Sequence, residues 1–237
     1  MNLPLNTSAN ISDPVAQARY NMIEQQIRPW NVLDADVLEL LSVVRREDFV
    51  PAAYRSLAFA DIEVPLLGND AEEAVRQGHS MLQPRVEARI LQDLRVQPTD
   101  RVLEIGAGSG YMAALLAAQA KEVVTLEIDP ELAEMARENL TDAGCTNVSV
   151  RVADGSKDTL PEGPFDVILL SGSVEVLPAN LLPHLKDGGR LGAIVGTQPV
   201  MHFTVVTKQG SQTTTKSPWD IVAPRLQGFA TAPRFSF

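Results

Sequence analysis

The chain predicts an α/β fold, a doubly wound and mostly parallel sheet with an N-terminal helical extension. Two patterns and a size carry that prediction. From residue 101 onward, short apolar runs at 102–105, 123–128, 148–152, 167–170 and 191–195 alternate with helical periodicity, as expected of a parallel sheet covered on both faces. The first of these runs leads into a glycine turn, "GAGSG" at 106–110, that opens an apolar helix. With 237 residues, 45% of them hydrophobic and 21% charged, the chain can bury one large core and fits one globular unit better than two domains.

Taken in order, residues 16–30 read as a helix closed by Pro29, and 34–44 as a second helix with Val37, Leu38, Leu41 and Val44 on one face. The stretch "DFVPAAYRSLAFADIEVPLL" is interrupted by Pro51 and Pro65 and predicts irregular structure or short strands. A polar insertion at 69–77, between Gly68 and Gly78, reads as a loop. After Pro84 the spacing of Val86, Ile90, Leu91 and Leu94 predicts a helix that leads into the sheet. At the far end, "FTVVTK" and "WDIVAPRL" read as closing strands joined by the polar turn "QGSQTTTKS". This divides the unit into a helical and loop region, 1–83, and a ligand-binding core, 84–237.

Several function classes are disfavoured. No apolar run approaches the roughly 18 residues of a membrane span, and the opening "MNLPLNTSANISDP" lacks the basic and apolar regions of a secretion signal. The single cysteine, Cys145, excludes an intrachain disulfide and fits a cytoplasmic protein. Three scattered histidines, with no CxxC or HExxH, offer no metal site. A net charge of −10 without a basic patch argues against nucleic acid as a partner.

The glycine turn is the most informative stretch. In a doubly wound sheet the ligand crevice lies at the carboxyl ends of the strands, where this turn falls. Gly106, Gly108 and Gly110 give G-x-G-x-G. The dinucleotide fingerprint needs a glycine where Tyr111 stands, and a phosphate loop needs a Gly-Lys-Ser/Thr ending that is absent. What remains is Glu104 ahead of three alternating glycines, an acidic group for an ammonium beside bare backbone, which suits S-adenosylmethionine; plain helix–strand packing is the alternative. Glu127, at the end of the second strand, has the offset of a ribose-binding carboxylate. Asp129 before Pro130 reads as a helix cap. Asp154, in "VADGS", offers an acceptor to an adenine amino group, although Asp-Gly is also an ordinary turn.

Beyond these single residues, "VLEIGAGSGY", "VVTLEIDPELAEMARENL", "NVSVRVADG", "PFDVILLSG" and "LLPHLKDGGRLGAIVG" resemble successive motifs of the S-adenosylmethionine-dependent methyltransferases. The upstream stretch "MIEQQIRPWNVLDADVLELLSVVRREDFVP" narrows the resemblance to the protein-L-isoaspartate O-methyltransferase family, over about residues 19–196. That resemblance implies a Rossmann-like methyltransferase fold, S-adenosylmethionine as cofactor and a protein or peptide carboxylate as acceptor. It places Gly106, Ala107 and Gly108 beside the methionine part, Glu127 and Ile128 at the ribose, Asp154 and Gly155 at the adenine, and Ser171 among the lining residues.

One position departs from the family. A Thr-Ile-Ser segment usually precedes a proline there, with the serine beside the methyl-accepting carboxylate. With Pro84 on that proline, Ser80 takes the threonine position and Leu82 stands in place of the serine; the rival alignment, Ser80 on the serine, moves the proline match by two residues. Leucine cannot donate to a carboxylate, so weakened isoaspartyl transfer, a different acceptor, or cofactor binding without turnover are the alternatives to the family's reaction. His79, next to Ser80, reads as a solvent-facing loop residue and not as a base.

Overall fold

The computed structural model describes residues 13–68, 70–157, 160–161 and 163–231. Helix α1 (Pro14–Met22) starts at Asp13, whose carboxylate accepts from the Val15 amide, with proline in the first turn. The helical run widens through a π turn at Ile23–Ile27, tightens at Arg28–Trp30, and stops at Asn31 with φ 63°. Helix α2 (Ala35–Val43) is capped by Asp34 and buries Val37, Leu38 and Leu41. Two 3₁₀ turns follow, at Arg46–Phe49 and Ala52–Leu57. Strands β1 (Val64–Pro65) and β2 (Ser80–Met81) then pair antiparallel.

Between those two strands the insertion read as a loop is a short helix, α3 (Ala71–Arg76). Asp70 caps it by accepting from the Glu72 and Glu73 amides, and the acidic first turn and closing Arg76 suit the helix dipole. The signal for it lay in capping chemistry, because six residues are too few for a period to show.

The main sheet has seven strands in the order β5-β4-β3-β6-β7-β8-β9: β3 (Arg101–Ile105), β4 (Glu122–Glu127), β5 (Val148–Val152), β6 (Phe165–Val174), β7 (Leu185–Thr197), β8 (Val200–Gln209) and β9 (Gln212–Asp220). The first five are parallel and the last two add an antiparallel meander. β9 corrects the predicted boundary: most of "QGSQTTTKS" is edge strand, the turn lies around Gly210, and beyond Asp220 "IVAPRL" leaves the sheet. An edge strand with both faces wet needs no apolar alternation, and its β-branched threonines suit the extended backbone.

Alternate strand residues enter different buried clusters. Val102, Val123 and Val167 join one cluster with residues of α1, α2, α4 (Pro84–Leu94), α5 (Tyr111–Gln119) and α6 (Pro130–Asp142). Leu103, Val124 and Ile168 join a second cluster, covered by the 3₁₀ turn Ala179–His184 and by loop residues such as Leu160, Leu226 and Phe229. The helices therefore crowd one face. On the other, the 3₁₀ turn, Leu160 and the C-terminal segment after β9 share the covering, and Leu226 and Phe229 of that segment also line the crevice beside the glycine turn. No helix among the described residues is long and apolar enough to cross a membrane.

Candidate active site

Gly106 and Gly110 show why the turn needs glycine. At φ 96° and 84° both lie in backbone space that side chains rarely enter. A Cβ on Gly106 would stand 2.8 Å from Leu226 Cδ2, and one on Gly110 would stand 3.2 Å from the Ala136 carbonyl. The turn is tied to β4: the Gly106 and Ala107 amides donate to the Leu126 carbonyl at 2.8 and 3.2 Å, and the Gly108 amide to Glu127 Oε2 at 2.9 Å. Glu127 Oε1 accepts from the Ile128 and Asp129 amides at 2.9 and 3.1 Å. Three amides on a carboxylate with about four lone-pair sites leave acceptor capacity for a ligand hydroxyl.

Gly106, Gly108, Glu127, Ile128, Gly155 and Ser171 line one cavity, together with His79, Ser80, Asp129 and the C-terminal residues Arg225, Leu226 and Phe229. Glu104 and Asp154 are engaged by neighbouring groups, and Glu104 is set back from the cavity wall. It is fully buried beneath the turn, where its two oxygens accept from Thr125 Oγ1 and Ser171 Oγ at 2.7 Å each, and burial pushes its carboxyl up to about 7. Asp154, between the lining residues Ala153 and Gly155, accepts from the Ser156 hydroxyl at 2.6 Å and the Ser156 amide at 3.0 Å, with Lys157 at 2.9 Å, and its carboxylate lies beside Gly228 of the C-terminal segment. These contacts, the Ser156 hydroxyl first, lower its pKa and make it the turn-former of "ADGS". His79 is part-buried at the cavity wall and not out in solvent, with Nε2 3.7 Å from Asp129 Oδ2. Asp129 also caps α6.

The free space in this cavity is about 60 Å³, whereas pockets for ligands of cofactor size run from about 300 Å³ upward. The bare turn, the Glu127 carboxylate and the apolar walls of Ile105 and Leu126 fit an adenosine-containing cofactor. Leu226 and Phe229 of the C-terminal segment form part of the crevice wall.

The loop expected on the acceptor side lies against the same turn. Ser80 and Leu82 share a second cavity, about 30 Å³, with Gly106, Ala107, Gly108, Glu87, Tyr111 and Ser171. Ser80 lines both cavities, and its hydroxyl is buried without a hydrogen bond. The Leu82 side chain is buried in the helical cluster. Its carbonyl accepts from Arg46 Nη2 at 2.7 Å, while Arg46 Nε donates to the Ala58 carbonyl at 3.1 Å and Nη1 pairs with Glu87. Burial pushes the Glu87 carboxyl up to about 7 against the pull of Arg46. Tyr111 packs on Phe49 with centroids 5.4 Å apart, and its hydroxyl has no partner.

Sequence reasoning missed Arg225, Leu226 and Phe229. No periodicity or motif marks them, because they reach the crevice only through the path the chain takes after β9.

Residues 17–222 match the family model described as protein-L-isoaspartate(D-aspartate) O-methyltransferase. The chain belongs to that family. It is 39% identical over 194 residues to the protein-L-isoaspartate O-methyltransferase of Koribacter versatilis, covering 82% of this chain and 83% of that one. With the Methylorubrum extorquens enzyme of the same name it shares 35% identity over 235 residues, covering 97% and 99%. A Plasmodium falciparum structure described under that enzyme name, in complex with S-adenosyl-L-homocysteine, has the same fold, with a TM-score of 0.73 over 87% of this chain and 97% of that one at 18% identity.

Proposed function

We propose that this family member transfers a methyl group from S-adenosylmethionine to the free carboxylate of an isoaspartyl residue in a protein or peptide. The observation that carries this reading is the meeting of the Ser80–Leu82 loop and the Gly106–Gly108 turn around one cavity, with Glu127 lining the adjoining one. Bound S-adenosylmethionine would supply an electrophilic methyl carbon, which the carboxylate oxygen takes as the carbon–sulfur bond breaks and its electron pair passes to sulfur. A carboxylate with a reference pKa near 4 is already ionised at neutral pH, so the protein needs no strong base. Its own residues bind, orient and exclude water. Glu127 and the glycine backbone hold the cofactor side. Ser80, whose hydroxyl is buried and unpartnered, supplies the donor on the acceptor side that Leu82 lacks.

A second reading, transfer to a different acceptor on the same fold, is favoured by leucine at position 82, a residue that lines the acceptor cavity and has no side-chain donor. Incubation with methyl-labelled S-adenosylmethionine and an isoaspartyl peptide, beside its aspartyl twin, separates the two. Label entering only the isoaspartyl peptide as a base-labile ester supports the first reading. Cofactor binding with no label on either peptide overturns it.

A further inference from the structure

The segment after β9 runs along the cofactor cavity from the glycine turn to the loop that follows β5. It is fixed at the start by a backbone clamp: the Ser173 amide donates to the Pro224 carbonyl at 2.7 Å, and the Leu226 amide donates to the Ser173 carbonyl at 2.9 Å. Ser173, fully buried, adds a bond from its hydroxyl to the Ala223 carbonyl at 2.9 Å. Leu226 packs on the glycine turn, where a Cβ on Gly106 would stand 2.8 Å from its Cδ2. Two residues on, Gly228 abuts the loop after β5: a Cβ there would stand 2.7 Å from Asp154 Oδ1 and 2.8 Å from Ser156 Oγ. Its φ of 83° is left-handed, so this seat needs glycine both for conformation and for room.

The strand order β5-β4-β3 sets out the lining of the cavity in succession: the glycine turn after β3, Glu127 at the end of β4, and Ala153 and Gly155 after β5. A carboxylate in the position of Glu127 takes ribose hydroxyls. The cofactor's ribose lies between its methionine part and its adenine, so with the methionine part at the glycine turn the adenine falls to the β5 end. Phe229 lines the same cavity and directly follows Gly228, which puts it at that end. Among the described lining residues it carries the only phenyl, phenol or indole ring, beside the aliphatic Ile128 and Ala153. Phe229 and Ala153 also pack against the same buried cluster beneath the sheet.

We propose that Phe229 is the stacking surface for the cofactor's adenine ring and that Gly228, seated on Asp154 and Ser156, sets it at that end. This rests on S-adenosylmethionine as the cofactor. An aliphatic side chain would also exclude water from the adenine, but a ring adds the face-to-face or edge contact of two π systems, so the two roles are distinguishable by substitution. The segment lies beyond residue 222, where the match to the family model ends, so this contact belongs to the fold of this chain and not to the matched motifs.

Calorimetry on the full chain tests this with three ligands: S-adenosylhomocysteine, methylthioadenosine, which keeps the adenine, and S-ribosylhomocysteine, which lacks it. Each is titrated into the native chain, Phe229→Ala, Phe229→Leu and Phe229→Tyr. The expected loss in Phe229→Ala is about 5- to 150-fold for the two adenine ligands and less than about twofold for S-ribosylhomocysteine. Phe229→Tyr should stay within about threefold of the native affinity, and Phe229→Leu should recover only part of the loss. A general collapse of the cavity wall would weaken all three ligands alike. Unchanged S-adenosylhomocysteine affinity in Phe229→Ala, full recovery in Phe229→Leu, or equal losses with and without the adenine overturns the inference. A native chain that binds none of the three overturns the cofactor reading and this inference with it.

Discussion

The glycine turn and the Ser80–Leu82 loop face the same cavities but are held by different forces. The turn is fixed by backbone amides bonded to the Leu126 carbonyl and to Glu127, all within the β3–β4 unit that forms it. The loop is fixed from a distance: Arg46, fully buried, reaches the Leu82 carbonyl, the Ala58 carbonyl and the Glu87 carboxylate at once. A site built from local backbone bonds can be carried by a short motif. One hung on a buried ion pair depends on residues scattered along the chain, so it has more ways to change.

The sharpest way to break the comparison is to remove the ion pair. Glu87→Ala leaves Arg46 charged and buried without its carboxylate, and should destabilise the chain by about 3–5 kcal/mol in urea unfolding. A double replacement of Arg46 and Glu87 by apolar residues of similar volume should recover most of that loss. A small effect of Glu87→Ala would mean that the loop is held mainly by its apolar packing.

Beneath the turn, Glu104 gives a contrast in pH dependence. Its carboxyl is raised from 4.5 to about 7, chiefly by burial, so between those values the folded chain binds more protons than the unfolded one. Its contribution to stability is therefore complete below about 4.5 and is lost as pH rises through about 7, by up to about 3 kcal/mol. Glu87 shifts in the same direction. Glu104→Gln should flatten part of this decline when urea midpoints are compared at pH 5 and pH 7.5. An unchanged pH profile would show that Glu104 is ionised in the folded chain.

Next in size is Leu82→Ser. A hydroxyl beside the acceptor carboxylate, worth about 1.5–3 kcal/mol, should raise isoaspartyl transfer roughly 10- to 150-fold with little change in cofactor affinity. The same substitution removes a buried leucine side chain and should lower the melting temperature. No gain in rate, with the expected thermal loss, would mean that a hydroxyl at position 82 does not reach the acceptor.

The smallest expected effect belongs to the cofactor side. Glu127→Ala should weaken S-adenosylhomocysteine binding by about 1–3 kcal/mol in calorimetry, with part of the loss arising because the Gly108, Ile128 and Asp129 amides lose their shared acceptor. Native affinity in that variant would remove Glu127 from the site.

What the sequence by itself determined is the part governed by short-range rules. The five parallel strands follow from apolar periodicity, the helix starts at Asp34 and Asp129 from capping, and the glycines at 106 and 110 from backbone positions that side chains avoid. Even the misread helix α3 carried its own cap in Asp70. Tertiary structure decided where the remaining groups point. Glu104 and Asp154 sit in the right motifs, but their carboxylates are taken by neighbouring hydroxyls, amides and a lysine. Arg225, Leu226 and Phe229 belong to an irregular segment with no period, and they line the crevice because Ser173 clamps that segment across the strand ends. A side chain's partner is set by whichever group the fold brings within hydrogen-bonding distance, and for residues far apart in the chain that distance is fixed only when the sheet and its coverings have closed.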